Sequence, residues 1–222
     1  MDNPIILTRR LLLGAALGLL PGFVRQGATP AQAGEPFVGV TPEQTEGPFY
    51  PVRFKPHGND LTRRKPGGPP AEGQHILVGG VITGADSRPV VGTTVEIWQT
   101  DAFGEYDHPR ENRTRKKDPN FLDWGDAETD SEGRYQFRTV QPLAYRAGRG
   151  WTRPPHIHFK VKGKSYSTLT TQLYFPDHPL NEKDSIFRAI PVSLRARVIA
   201  QPARPDGGVE GAKPYRFDLV LA

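Results

Sequence analysis

The sequence predicts an all-β domain, on three observations. Gly 24 and Pro 23 among 222 residues are high for a helical protein. Short runs of β-branched and aromatic residues recur, separated by clusters of Gly, Pro, Asn and Asp, the pattern of strands and turns in a sandwich or barrel. Only a few segments look helical, residues 181–189 the best of them. A chain of this length supports one domain with a sizeable core, and it shows no internal repeat and no second domain.

The N-terminus reads as an export signal, residues 1–33. Arg9-Arg10 precede an apolar run that reaches about Val24, and Ala31-Gln32-Ala33 offers a cleavage site before Gly34. Paired arginines before a moderately apolar run predict the twin-arginine route and a periplasmic or extracellular destination. The run is short and broken by Gly and Pro, so no stable membrane insertion is expected after cleavage. Residues 34–75 are rich in Pro and Gly without periodicity and read as an extended arm over the domain that follows, residues 76–222.

Within that domain Ile76–Thr83 and Thr94–Thr100 read as strands, separated by the turn Gly84-Ala85-Asp86-Ser87. Arg134–Val140 alternates polar and apolar after the turn Asp130-Ser131-Glu132-Gly133. His156–Val161 and Thr168–Phe175 follow as strands, Asn181–Ala189 as the one short helix, and Tyr215–Leu221 as a closing strand.

Composition narrows the chemistry. The chain has no cysteine, which excludes thiol catalysis, disulfides, iron–sulfur clusters and Cys-based zinc sites. Its formal charge of +5 is spread along the sequence without an RNA-binding signature, so nucleic acid is not an expected partner. The one basic run, Arg110–Lys117, reads as a solvated loop.

His156 and His158 stand at i and i+2 on a predicted strand and so point to one face. Tyr106 and Tyr145 lie in loops that follow strands, upstream of the pair. Taken singly, each tyrosine reads as a packing residue. Together, two imidazoles and two phenolates suit a hard, highly charged ion such as iron(III) better than zinc or magnesium. A cupin also uses His-x-His, but it places a glutamate a few residues later, where this chain has Phe159-Lys160-Val161-Lys162-Gly163.

Five motifs occur in order: Thr41-Pro42-x-Gln44-Thr45-Glu46-Gly47-Pro48-Phe49-Tyr50, Gly104-x-Tyr106-x-His108, Thr129-Asp130-x-x-Gly133-x-Tyr135-x-Phe137, Arg153-Pro154-x-His156-Ile157-His158-Phe159 and Thr171-Gln172-Leu173-Tyr174-Phe175. Over about residues 41–221 the chain thereby resembles the intradiol ring-cleavage dioxygenases. The resemblance implies a mixed β-sandwich holding one non-haem iron(III), with Tyr106, Tyr145, His156 and His158 as ligands. Tyr145 and His158 would be axial, Tyr106 and His156 equatorial. It implies that a small aromatic diol (protocatechuate, catechol or a relative) and O2 are the substrates, and a cis,cis-muconate-type diacid the product. Tyr145 would serve as ligand and base in turn. Arg153 would stabilise developing carbanion character, and Gln172 would assist from the neighbouring strand. Tyr50 and Trp151 are candidates to line the substrate pocket, with packing an equal reading for both, and His108 is expected at the rim. The short interval from Tyr145 to His156 resembles the protocatechuate enzymes. The complete ligand set in one chain resembles an exported single-chain type, for which a homo-oligomer is one quaternary option. The rival reading is a non-catalytic transthyretin-like β-sandwich binding module, which has no reason to keep all four ligands.

Overall fold

The computed structural model describes residues 39–111, 115–163, 165–203 and 211–222. The export-signal reading, the first residues of the arm and the middle of the basic run lie outside them. Residues 39–74 contain no helix or strand.

The strands are β1 (His75–Gly84), β2 (Thr94–Trp98), β3 (Trp124–Glu128), β4 (Arg134–Val140), β5 (Tyr145–Gly148), β6 (Trp151–Arg153), β7 (His156–Lys162), β8 (Leu169–Tyr174), β9 (Gln201–Pro202), β10 (Lys213–Arg216) and β11 (Leu219–Leu221), with one α-helical turn, α1 (Ser185–Arg188). In one sheet β1 pairs antiparallel with β4 and parallel with β10 and β11, and β9 adds to β10. The other sheet runs β3-β2-β7-β8, all antiparallel. β5 and β6 form a separate hairpin.

Alternation explains how the sheets stack. Ile76, Val78 and Ile82 of β1 and Phe137 of β4 meet Val95 and Ile97 of β2, Ile157, Phe159 and Val161 of β7 and Leu173 of β8 in one buried cluster. The predicted β-sandwich is therefore present, and mixed because β1 has parallel partners. Odd-numbered residues of β7 face this core, which leaves His156 and His158 on the opposite, outer face.

Several boundaries differ from the sequence reading. The closing strand is two strands, broken at Phe217-Asp218, where the Asp218 carboxylate replaces a backbone partner and accepts from Val81 N at 2.9 Å. β2 ends at Trp98, two residues early. The expected helix 181–189 is a 3-10 turn, Asn181–Lys183, followed by α1, because Asp184 between them is extended (φ −78, ψ 123). β3, the hairpin β5–β6, β9 and a 3-10 segment over Val192–Val198 carry no periodic signal strong enough to read in advance.

Candidate metal centre

The outer face of the second sheet brings the histidines to their neighbours by register. Trp98 lies across from His158, His158 across from Gln172, and His156 across from Tyr174. The Trp98 indole stacks on the His158 ring, centroids 4.7 Å apart and planes 9° from parallel.

The tyrosines arrive from two loops. Tyr106 lies in the segment after β2, which folds around the buried Asp101 carboxylate: Oδ1 accepts from Phe103 N and Glu105 N at 2.8 and 3.1 Å, and Oδ2 from Asp118 N at 2.8 Å. Gly104 turns this loop at φ +84, a conformation that other residues rarely adopt. Tyr145 opens β5, directly across from Arg153 of β6. Ring centroids lie 5.4 Å apart for Tyr106 and Tyr145, 5.7 Å for Tyr145 and His156, 5.0 Å for His156 and His158, and 6.4 Å for Tyr106 and His158. The four expected ligands thus form one buried cluster, each at most 7% exposed.

The arm belongs to this site. Gln44 N donates to Thr170 O at 2.8 Å along the edge of β8, and the Gln172 amide donates back to Thr45 O at 2.9 Å. Phe49 then stacks on Tyr106 at 4.5 Å and meets Tyr145 and His108 edge-on at 6.3 and 5.8 Å. His108 is buried at this margin, its Nδ1 accepting from Arg110 N at 3.1 Å.

Arg153 is buried and saturated. Nη2 donates to Asp184 Oδ2 and Gln172 Oε1, both at 2.8 Å, and to the Tyr174 hydroxyl at 3.1 Å, while Nη1 meets His156 Nε2 at 3.0 Å. Burial opposes its charge, but the Asp184 hydrogen bond and the surrounding phenols and carboxylate raise its pKa above the ordinary arginine value.

The electrostatics suit a cation. Burial, then the charge of Arg153, hold both histidines well below the usual imidazole pKa, so both are neutral. The His156 Nδ1 contact with Pro154 O at 2.7 Å places the ring proton on Nδ1 and makes Nε2 an acceptor, which here takes the hydrogen bond of Arg153 Nη1 and would exchange it for a metal on ligation. Burial lifts the Tyr106 phenol well above 10, and the neighbouring Tyr145 adds to the rise. Burial also raises Tyr145, but the charge of Arg153 and polar contacts with the Tyr106 and Arg153 side chains pull the other way; at Tyr106 only the charge of Arg153 does so. The Tyr106 hydroxyl and His158 Nδ1 are buried without a hydrogen-bond partner, a costly state that ligation of the phenol oxygen would relieve at Tyr106. No group of three or more His, Asp or Glu side chains among the described residues could hold a metal ion. A metal here therefore needs the phenols, and that donor set fits iron(III).

The two pocket-lining candidates each have a hydrogen-bond partner of their own. The Tyr50 hydroxyl donates to Glu96 at 2.8 Å and its ring contacts Trp98 and Phe54, one ring removed from the ligands. Trp151 donates to Asp184 Oδ1 at 3.2 Å. Sequence reasoning passed over Phe49, Trp98, Tyr174 and Asp184. Phe49, Trp98 and Tyr174 stand inside or beside segments it had already singled out, and Asp184 carries only the ordinary signal of a helix N-cap. A concavity of about 740 Å³ beside Leu77, Gly79, Gln136 and Arg216 contains none of these site residues.

The loop bearing Tyr106 is also anchored by Asp123, buried with Lys117 Nζ at 2.7 Å and Arg64 Nη2 at 3.4 Å. Burial raises its pKa to about 7 against the pull of Lys117. The folded value exceeds the unfolded one, so the folded chain binds more protons between about pH 4 and 7. Its stabilising contribution is complete below that window and is lost as pH rises through it. In urea titrations of the metal-free protein, wild type should lose stability relative to Asp123→Asn by up to about 1.4 kcal/mol per pH unit in that window, with no further change above it. A pH-independent difference would contradict this.

With the geometry established, known proteins identify the class. A family model described as dioxygenase matches residues 45–222. The protocatechuate 3,4-dioxygenase beta chain of Burkholderia cepacia is 35% identical, over 100% of this chain and 96% of its own length. The 6-chlorohydroxyquinol 1,2-dioxygenase of Cupriavidus pinatubonensis is 32% identical over 82% of this chain, which spans 65% of that enzyme. Among solved structures, the dioxygenase domain of a dioxygenase carbohydrate-binding protein fusion from Streptomyces sp. SirexAA-E aligns with a TM-score of 0.62 at 27% identity, over 82% of this chain and 98% of that one. The chain belongs to the intradiol ring-cleavage dioxygenases, oxidoreductases that incorporate both oxygen atoms of O2. The reading as a non-catalytic binding module is not favoured.

Proposed function

We propose that this chain opens catechol-type rings between the two hydroxylated carbons at a single non-haem iron(III) held by Tyr106, Tyr145, His156 and His158. The observation that carries the proposal is the convergence of those four side chains in one buried cluster with unpartnered Tyr106 oxygen and His158 nitrogen. When bound, the ferric ion would supply the charge that keeps phenols and catechol oxygens ionised and draws electron density from the ring toward reaction with O2.

The chain's residues do the rest. Tyr145 is the more readily ionised of the two phenols, because Arg153 lies across from it and stabilises its anion, and it is the proposed base. Arg153 carries a fixed positive charge beside His156, placed to stabilise carbanion character in the ring. Gln172 holds the guanidinium from β8 through its carbonyl and the arm through its amide. Phe49 covers Tyr106 and keeps water from the phenol.

For substrates, the names of the relatives support protocatechuate, catechol and hydroxyquinol derivatives, and an anionic aromatic acid suits the chain's positive charge. For assembly, relatives named as alpha and beta chains support an oligomer. Arg9-Arg10 and Ala31-Gln32-Ala33 support export, which the mass of the protein recovered outside the cytoplasm would test.

The deciding experiment is the visible spectrum of the iron-loaded protein before and after adding protocatechuate without oxygen. A broad tyrosinate-to-iron band that shifts on addition is the expected result. Colourless protein at full iron occupancy would remove the tyrosines from the metal. Equal failure on protocatechuate, catechol and hydroxyquinol would overturn the substrate class.

A further inference from the structure

Asp184 is fully buried at the junction between the 3-10 turn and α1. Both carboxylate oxygens are committed to β6. Oδ2 accepts from Arg153 Nη2 at 2.8 Å and Nε at 3.3 Å, and Oδ1 accepts from Trp151 Nε1 at 3.2 Å. The carboxylate also caps α1, but that contact, from Ile186 N, is long at 3.4 Å and serves a helix of one turn. The cap is thus the weaker of its two tasks.

The tether matters because of where β6 sits. It has three residues and pairs only with β5, in a hairpin that joins neither sheet and is irregular between Arg146 and Gly148. Asp184 itself is fixed to the second sheet. Its N–H donates to Leu180 O and Asn181 O at 3.0 and 3.1 Å, and the Asn181 amide donates to Phe175 O, just past β8, at 2.9 Å. A continuous path therefore runs from the end of β8 through Asn181 and Asp184 to the guanidinium beside His156.

We propose that Asp184 is a positioning residue for ring cleavage, holding the Arg153 guanidinium and the Trp151 indole as one unit against the metal-binding face. This rests on the role given to Arg153 above. Asp184 touches neither the ligand cluster nor the substrate space and acts through Arg153. It also balances a charge that would otherwise be buried unpaired.

The test uses full-length iron-loaded Asp184→Asn, which keeps the shape and the indole acceptor but removes the charge, together with Arg153→Lys and the double variant. Asp184→Asn should lower kcat on protocatechuate by about ten-fold or more while KM changes less. Iron content should stay near wild type, and the tyrosinate-to-iron band should move, because the charge beside Tyr145 is no longer fixed. In the Arg153→Lys background the same change should have almost no further effect. Wild-type kcat and band with only a lower urea midpoint would overturn the proposal, as would full additivity with Arg153→Lys. If Arg153→Lys itself retains wild-type kcat, the catalytic reading of Arg153 fails and the proposal with it. Should Asp184→Asn not fold, Trp151→Phe frees one carboxylate oxygen and leaves the charge pair intact. A several-fold loss of kcat with iron retained then supports the unit, and wild-type kcat overturns it.

Discussion

Replacing both Tyr106 and Tyr145 by phenylalanine is expected to remove the visible band of the iron-loaded protein and its ring-cleaving activity together. Each single change should lower kcat by at least about 10²-fold, the usual scale for loss of a positioned base or an essential charge. The two are not equivalent. Tyr145 faces Arg153 and is the proposed base, so Tyr145→Phe should weaken turnover more than iron retention. Tyr106 is not paired across a strand with Arg153 and is the purer ligand, so Tyr106→Phe should weaken iron retention more. The fold should survive both. The aromatic contacts of Tyr106 with Phe49 and Tyr145 need only the ring. The hydroxyl lost from Tyr106 is a buried polar atom that makes no well-formed hydrogen bond, its one polar neighbour being the Tyr145 hydroxyl, so deleting it relieves more desolvation cost than it forfeits in bonding. Metal-free Tyr106→Phe should accordingly match or exceed wild type in its urea midpoint. A residue that stabilises the protein when removed and abolishes chemistry is the signature of a site held under strain for function. Retained colour and activity in the double variant would leave the two histidines as the only ligands and overturn the ferric reading.

What the sequence made legible was whatever alternation or side-chain chemistry could express. The period of two in His156–Val161 separates His156 and His158 from the core residues Ile157, Phe159 and Val161, and the structure places them so. β3 was not legible, because Trp124-Gly125-Asp126-Ala127-Glu128 is an outer strand with a single buried residue, Gly125. The β5–β6 hairpin was not legible either. Its strands have four and three residues, pair with neither sheet, and are held by Asp184 some thirty positions later, a contact no local pattern can announce. The same reason hid the arm's role. Its backbone has no period, and its side chains find partners more than 120 residues away, as Gln44 does at Thr171 and Gln172. The four proposed ligands were legible because metal chemistry restricts residue type and because the motifs around them resemble a known family. Phe49 and Asp184 were not, because a covering ring and a buried tether use common residues whose meaning comes only from what they touch.

The largest expected effect on folding falls far from the metal centre, at Gly80. β1 is flanked along one edge by β4, with Gly80 across from Tyr135, and along the other by β10 and then β11. The change from β10 to β11 happens at Phe217-Asp218, level with Gly80. There Phe217 N donates to Gly79 O at 2.8 Å and its ring turns into the core against Phe159, centroids 5.1 Å apart. A Cβ on Gly80 would lie 2.1 Å from the Phe217 carbonyl oxygen and 2.6 Å from its carbon. Both are backbone atoms, and the oxygen is held by the buried Tyr135 hydroxyl, so it cannot withdraw without breaking that bond. Gly80→Ala should therefore destabilise the chain by about 3 kcal/mol or more, the upper range for overpacking, since relief requires moving a strand rather than a rotamer. Gly148→Ala is the control. Its added methyl would meet nothing closer than Trp151 at 4.0 Å, and it should stay within about 0.5 kcal/mol of wild type. Urea midpoints of the two variants decide the matter. Because the ligands stand on the other sheet and its loops, the folded fraction of Gly80→Ala should still bind iron with the wild-type band, so stability falls while the site is intact. A wild-type midpoint for Gly80→Ala would mean that Phe217 can yield at little cost and that the break between β10 and β11 does not depend on glycine.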